Sequence, residues 1–232
     1  MKLQHLALTL VVGLAVPLAS GTDADARPKG AKKVAPKKSL SPNQVAENVQ
    51  KFYDKTKTFK AGFKQRYIVR AYNKRKDSQG QVIFEKPGKM SWRYTSNGNR
   101  VVSDGKIIKV YEADNKQMYE QPLGKSQYPA ALAFLVGGGN LKKSFKLRKL
   151  NEKQMQFEGG YVLEGVPKEA TPAYQKILLY VDANTYQVRR VLLLDAQGNR
   201  NRFDFVSPAV NTKVPKNEFA FKPPPGTQVI KP

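Results

Sequence analysis

From Phe59 onward the chain alternates with a period of two. Phe59, Ala61, Phe63, Tyr67, Val69 and Ala71 take the odd positions, and Lys60, Lys64, Arg66, Arg70, Lys74 and Lys76 take the even ones. Successive side chains of a β-strand point to opposite faces, so this pattern predicts one long strand with an apolar and a cationic face. The cationic face is either a steering surface for acidic partners or simply a solvated face. Turn signals then recur at short, even intervals: Ser78-Gln79-Gly80, Pro87-Gly88, Ser96-Asn97-Gly98-Asn99, Ser103-Asp104-Gly105-Lys106 and Asp114-Asn115. After one break the rhythm resumes with Phe145–Leu150, Met155–Phe157, Tyr161–Leu163, Ile177–Val181, Val188–Leu194 and Arg202–Val206, turning at Asp182-Ala183-Asn184 and Ala196-Gln197-Gly198-Asn199. Short strands spaced this way predict a mainly β (α+β) fold, an antiparallel barrel or a strongly curved sheet.

A chain of 232 residues is long enough for a core without metals or disulfides. With 40% hydrophobic and 10% aromatic residues it is too apolar for wholesale disorder. There is no cysteine, which excludes disulfide scaffolds, thiolate metal sites and cysteine nucleophiles, and makes a lipobox anchor unexpected. The one histidine, His5, falls inside an apparent export signal: Lys2 is the positive n-region, Leu6 to Ala19 an apolar run, and Ala24-Asp25-Ala26 a small-x-small cleavage site, with Ser20 a second cut point. That run is shorter than the roughly 20 residues needed to cross a bilayer. Residues 1–26 are therefore expected to be a secretory signal peptide and the product to be exported. Without it the chain has neither Cys nor His, so Ser-His-Asp triads, histidine metal sites and histidine relays are excluded. The remaining carboxylates are sparse and sit mostly at turns, and Gly137-Gly138-Gly139 lacks the Lys-Ser/Thr of a phosphate loop. No enzyme activity, catalytic residue, cofactor or metal is expected.

Residues 27–40 read as a basic disordered linker, with Lys29, Lys32, Lys33, Lys37 and Lys38 among Pro28, Gly30, Ala31 and Pro36. It is either a solubilising spacer or a means of transient contact with an anionic membrane surface, where each basic residue contributes about 1 kcal/mol. Order is expected to begin at Ser41 and fill residues 41–232 as one domain. Ser41-Pro42-Asn43-Gln44 combines an N-cap, proline at the first helical position and a capping box. The helix that follows, Pro42–Lys55, carries Val45, Val49, Phe52 and Tyr53 on one stripe. A second helix, Tyr128–Val136, is apolar nearly all round, so it is either a core helix or a cover over an apolar opening. Val82, Phe84, Lys86, Met90, Trp92 and Tyr94 share one parity. Lys86 then faces an apolar surface and needs a polar partner, unless the Pro87-Gly88 bulge turns it out to solvent.

An ordered set of motifs resembles the LolA-type periplasmic outer-membrane lipoprotein carrier family. It runs from about Val45 to Val229: Phe59-x-Ala-x-Phe63-x-Gln65; Gly80-x-Val-x-Phe84-x-Lys86-Pro87-x-x-Met90-x-Trp92-x-Tyr94; Val101-Val102-Ser103-Asp104-Gly105-Lys106 with Tyr111 beyond; and Phe219-Ala-Phe221-Lys-Pro223-Pro-Pro-Gly226. The resemblance implies an unclosed antiparallel barrel whose short helices form a lid over an apolar cavity for acyl chains. The cavity would be lined by Phe63, Tyr67, Val69, Val82, Phe84, Met90, Trp92 and Tyr94. Val45, Val49, Phe52, Leu132, Phe134 and Leu135 would form the lid, with Lys86 as its latch. The implied partners are acylated lipoproteins, an inner-membrane ABC-type release complex and an outer-membrane lipoprotein receptor, with the chain a periplasmic monomer that consumes no energy. The family usually has arginine before that proline; Lys86 keeps the charge but not the planar fork, so a weaker latch is expected. The formal charge of +23 lies beyond what the resemblance explains. A different class of function, a sensor or general binder of apolar ligands, would use the same cavity. Basic strands with interleaved aromatics also describe single-stranded nucleic-acid binders, but export argues against that partner.

Overall fold

The structure is a computed structural model and describes residues 39–125 and 139–231. The expected signal peptide, the linker through Lys38 and the segment Tyr128–Val136, with Leu132, Phe134 and Leu135, lie outside the described residues.

Helix α1 spans Pro42–Asp54. Ser41 caps it: its Oγ accepts from the Gln44 N–H at 3.2 Å while Gln44 Oε1 accepts from the Ser41 N–H at 2.9 Å, so two otherwise orphaned donors are satisfied. Val45, Ala46, Val49 and Tyr53 form its buried face. The helix ends one residue before the expected Lys55, where Thr56 turns back. Thr56 Oγ1 donates to the Phe52 carbonyl at 2.9 Å and its N–H to the Tyr53 carbonyl at 3.0 Å.

Strands follow in two antiparallel runs. The first is β1 (Thr58–Val69), β2 (Lys74–Glu85), β3 (Lys89–Tyr94), β4 (Arg100–Asp104), β5 (Ile107–Glu112) and β6 (Gln117–Pro122). A single helical turn, α2 (Leu141–Ser144), opens the second: β7 (Phe145–Leu150), β8 (Gly160–Pro167), β9 (Lys176–Asp182), β10 (Val188–Leu194) and β11 (Arg200–Val210). The chain then recrosses the outer face, where Glu218 pairs with Arg93 at 2.6 Å and Phe221 packs on Tyr111. It ends in β12 (Gln228–Ile230), parallel to β6. All form one 12-stranded sheet in the order β12-β6-β5-β4-β3-β2-β1-β11-β10-β9-β8-β7, unclosed because its edges β12 and β7 do not pair. The sheet is strongly curled. β3 and β11 are three strand spacings apart, about 14 Å on a flat sheet, yet the rings of Trp92 and Phe203 lie 5.3 Å apart. The concave side holds the main core, and a second cluster of Val162, Leu178 and Tyr180 with Met155 and Phe157 covers part of the convex side.

Three local expectations are corrected. The long strand through Lys76 is instead a hairpin: β1 stops at Val69, a 3-10 turn occupies Arg70–Tyr72, and Asn73 adopts a left-handed φ of 46°. The turn is held from outside, since the Arg70 N–H donates to Asn199 Oδ1 at 3.0 Å, which no local pattern reveals. Ser78-Gln79-Gly80 is therefore mid-strand. Gly80 is required there by close approach: a Cβ would fall 1.8 Å from the Arg93 carbonyl oxygen and 2.9 Å from Phe63 Cε1. Met155–Phe157 is a turn, not a strand, because Asn151 Oδ1 accepts from the N–H groups of Lys153 and Gln154, and Phe157 N–H donates to the Glu152 carbonyl.

Gly80→Ala is expected to lower stability by about 1–3 kcal/mol, the cost of overpacking a closed site. Gly124→Ala, with nothing within 4 Å of its Cβ, should leave the urea midpoint unchanged. Equal midpoints for the two variants would contradict the close packing described at Gly80.

Candidate functional site

The concave face is built from alternate positions of neighbouring strands. In β2 and β3, Val82 pairs with Trp92 and Phe84 with Met90, so all four point the same way. Each is 1% exposed or less. Phe63 of β1 sits edge-on to Trp92 and to Tyr94, with ring centroids 5.0 Å apart in both cases. Phe84 approaches Trp92 at 5.7 Å, and Phe59 lies 5.4 Å from Phe205. These edge-to-face contacts are a favourable arrangement of ring quadrupoles. Val101, Ile108, Leu163, Ile177, Leu179, Val188 and Val191 extend the same surface around the curl. Shallow depressions of about 350 and 390 Å³ lie among polar and basic side chains of β1, β2 and β11 and belong to different chemistry.

Helix α1 covers this face, and Tyr53 is its fastening. The ring is fully buried. Its hydroxyl accepts from the Val188 N–H of β10 at 3.2 Å, and its backbone carbonyl accepts from Lys86 Nζ just beyond β2. One residue of the helix thus bridges both halves of the sheet. Burial pushes the Tyr53 phenol far above its usual range. Burial also lowers the Lys86 ammonium, opposed by the charge of Asp54. Lys86 is half-buried and turned toward the helix, not out to solvent. At the other flank Gln50 Oε1 accepts from the Leu141 N–H at 3.3 Å, and Glu47 pairs with Lys142. Lys149 Nζ also donates to the Leu40 carbonyl at 2.6 Å.

Of the residues expected to line a cavity, Phe63, Val82, Phe84, Met90, Trp92 and Tyr94 come together in one cluster. Tyr67 and Val69 do not: they are half-buried at the far end of β1 and belong to neither cluster. There the β1–β2 hairpin runs past the elements that pack on it. Val45 and Val49 of α1 are in the cluster and Phe52 packs at its margin. Phe59, Phe203 and Phe205 join the cluster beyond the expected lining, and all three carry the odd parity of their strands. By sequence Tyr53 is one more residue of the α1 stripe, and no local signal distinguishes its two long-range bonds.

Residues 54–222 match a family model described as outer membrane lipoprotein carrier protein LolA. An outer-membrane lipoprotein carrier protein of Chromobacterium violaceum is 29% identical over 180 residues, covering 77% of this chain and 84% of that protein. One from Bordetella avium is 30% identical over 153 residues, covering 66% and 70%. Among solved structures, an uncharacterized conserved protein from Thermus thermophilus shares the fold with a TM-score of 0.50 at 14% identity, over 82% of this chain and 98% of that one.

Lys86→Met removes the donor to the Tyr53 carbonyl. A single partly exposed hydrogen bond is worth about 1 kcal/mol, so the amides of Val45–Asp54 are expected to exchange roughly 5-fold faster by hydrogen–deuterium exchange. Unchanged protection would show that Lys86 does not hold the helix.

Proposed function

The chain belongs to the LolA family of outer membrane lipoprotein carrier proteins, and we propose that it binds lipoprotein acyl chains against the concave face and shuttles them across the periplasm. It would take them from an inner-membrane ABC-type release complex and hand them to an outer-membrane receptor. The observation that carries this reading is a continuous apolar and aromatic face, on a sheet of 12 strands, covered by a helix that is fastened by few polar bonds. Burying acyl chains gains about 0.8 kcal/mol per methylene. Cargo must first displace α1, and that cost lowers net affinity so that release to a receptor needs no fuel.

Two carboxylates of the outer face are engaged in ion pairs, which is compatible with a shuttle. Arg75 and Arg66 hold the Asp77 carboxyl well below its usual range. Burial pushes Glu164 up, but hydrogen bonds from Lys176 and Arg148 outweigh it and lower it. Both carboxylates are thus committed to ion pairs outside the core. The basic linker and the positive outer face are suited to transient contact with anionic membrane surfaces during the transfer steps.

Mass spectrometry of material co-purifying from a periplasmic extract tests the proposal. Acylated lipoproteins are expected with the intact chain and are expected to be lost with a Phe84→Glu, Trp92→Glu variant. Recovery of free lipids alone would replace the carrier reading with that of a lipid sensor. In a reconstituted transfer assay, Lys86→Leu is expected to retain cargo and to pass on less of it, because the contact that favours the empty closed state is gone. Normal transfer would remove Lys86 from the mechanism.

A further inference from the structure

Trp92 is the chain's single tryptophan. It lies at the centre of the concave face, fully buried, with Phe63, Phe84 and Phe203 around its ring and Val82 and Val101 as its cross-strand partners. Its Nε1–H has no hydrogen-bond partner among the described residues. A buried donor left unpaired is destabilising, and indole N–H groups usually find an acceptor when buried. Phenylalanine, used at three neighbouring positions, would fill such a site without that cost. Packing accounts for an aromatic ring at this position but not for an indole.

We propose that the Trp92 indole N–H is a cargo-binding donor that takes the carbonyl oxygen of an acyl group when the interior fills. This rests on the carrier reading above. An acyl chain entering an apolar interior carries polar atoms only at its head, and the carbonyl oxygen there accepts hydrogen bonds but has none to give. An unpaired donor is the complement of that group, whereas an inward acceptor would repel it. The bond forms only after cargo displaces α1, so it favours the loaded state without holding the empty one shut. It also distinguishes an acylated ligand from a plain hydrocarbon of equal length and sets how deep the chain enters. The acyl carbonyl belongs either to a glyceryl ester or to an N-terminal amide, and the two are separable by experiment.

The test uses the full mature chain and three synthetic probes, an S-dipalmitoylglyceryl-cysteine peptide, its dihexadecyl ether counterpart and the N-palmitoylated form of that diether, with binding followed by calorimetry. The native chain is expected to bind the diester about tenfold more tightly than the diether, as one buried hydrogen bond allows. Trp92→Phe should bring the ratio to about 1 while the diether still binds. Replacing the single tryptophan biosynthetically with benzothienylalanine keeps ring shape and removes only the N–H, and should do the same. If the native chain gains affinity only when the diether is N-palmitoylated, and the benzothienyl form does not, the acceptor is the amide carbonyl and the proposal stands. Equal binding of all three probes by the native chain, or an ester preference that survives both substitutions, overturns the role of Trp92 alone. Failure to bind any probe overturns the carrier reading with it.

Discussion

The pairing of β1 with β11 holds the two halves of the fold together. It joins Phe59 to Val210 at one end and Ile68 to Arg200 at the other, and so converts two separate meanders into one sheet. The register slips between Lys60 and Gly62, where β11 carries an extra residue and Ser207 takes a left-handed φ of 47°. A bulge of this kind bends its strand and increases the right-handed twist. Added to the twist that every sheet accumulates, it supports the curl that brings Trp92 of β3 against Phe203 of β11.

A curled but unclosed sheet has one apolar face too concave to leave to water, and among the described residues α1 covers it, with Leu141 of α2 beside it. The contacts between them are of two kinds. Val45, Val49 and the Tyr53 ring contribute burial that is non-directional. The Tyr53 carbonyl and hydroxyl contribute directional bonds that reach Lys86, just beyond β2, and β10 separately. Directional bonds fix the position of this cover while burial supplies most of its contact, which suits the displacement by acyl chains proposed above.

The outer face follows other rules. Carboxylates there are repeatedly held by two cations at once: Asp77 by Arg66 and Arg75, Asp204 by Arg190 and Arg202, and Glu164 by Arg148 and Lys176. Surface pairs of this sort add little stability. Their excess of cations leaves the convex side positive, a long-range property that bears on encounter with membranes and partners and not on the fold.

Much of this was legible in the sequence. The capping box at Ser41, the stripe on α1 and the turns at Asp104-Gly105 and Asp114-Asn115 depend on bonds between residues two to four apart, so local pattern is enough. The inward set from Val82 to Tyr94 followed from parity, because the two-residue period belongs to the backbone of any strand. What failed was whatever is held from afar. The hairpin turn at Arg70–Tyr72 is pinned by Asn199, Gly80 is made obligatory by the Arg93 carbonyl, and β12 finds β6 only after recrossing the sheet. Tyr67 and Val69 kept the right parity yet fell outside the cluster, because alternation says which face a side chain takes and not whether anything packs on it. Local pattern is sufficient for most of the elements, for the face each side chain takes and for the family to which the motifs point. The curl, the two hydrogen bonds by which Tyr53 reaches both halves and the lack of a partner for the Trp92 N–H among the described residues are tertiary in origin, since each depends on strands brought together from distant parts of the chain.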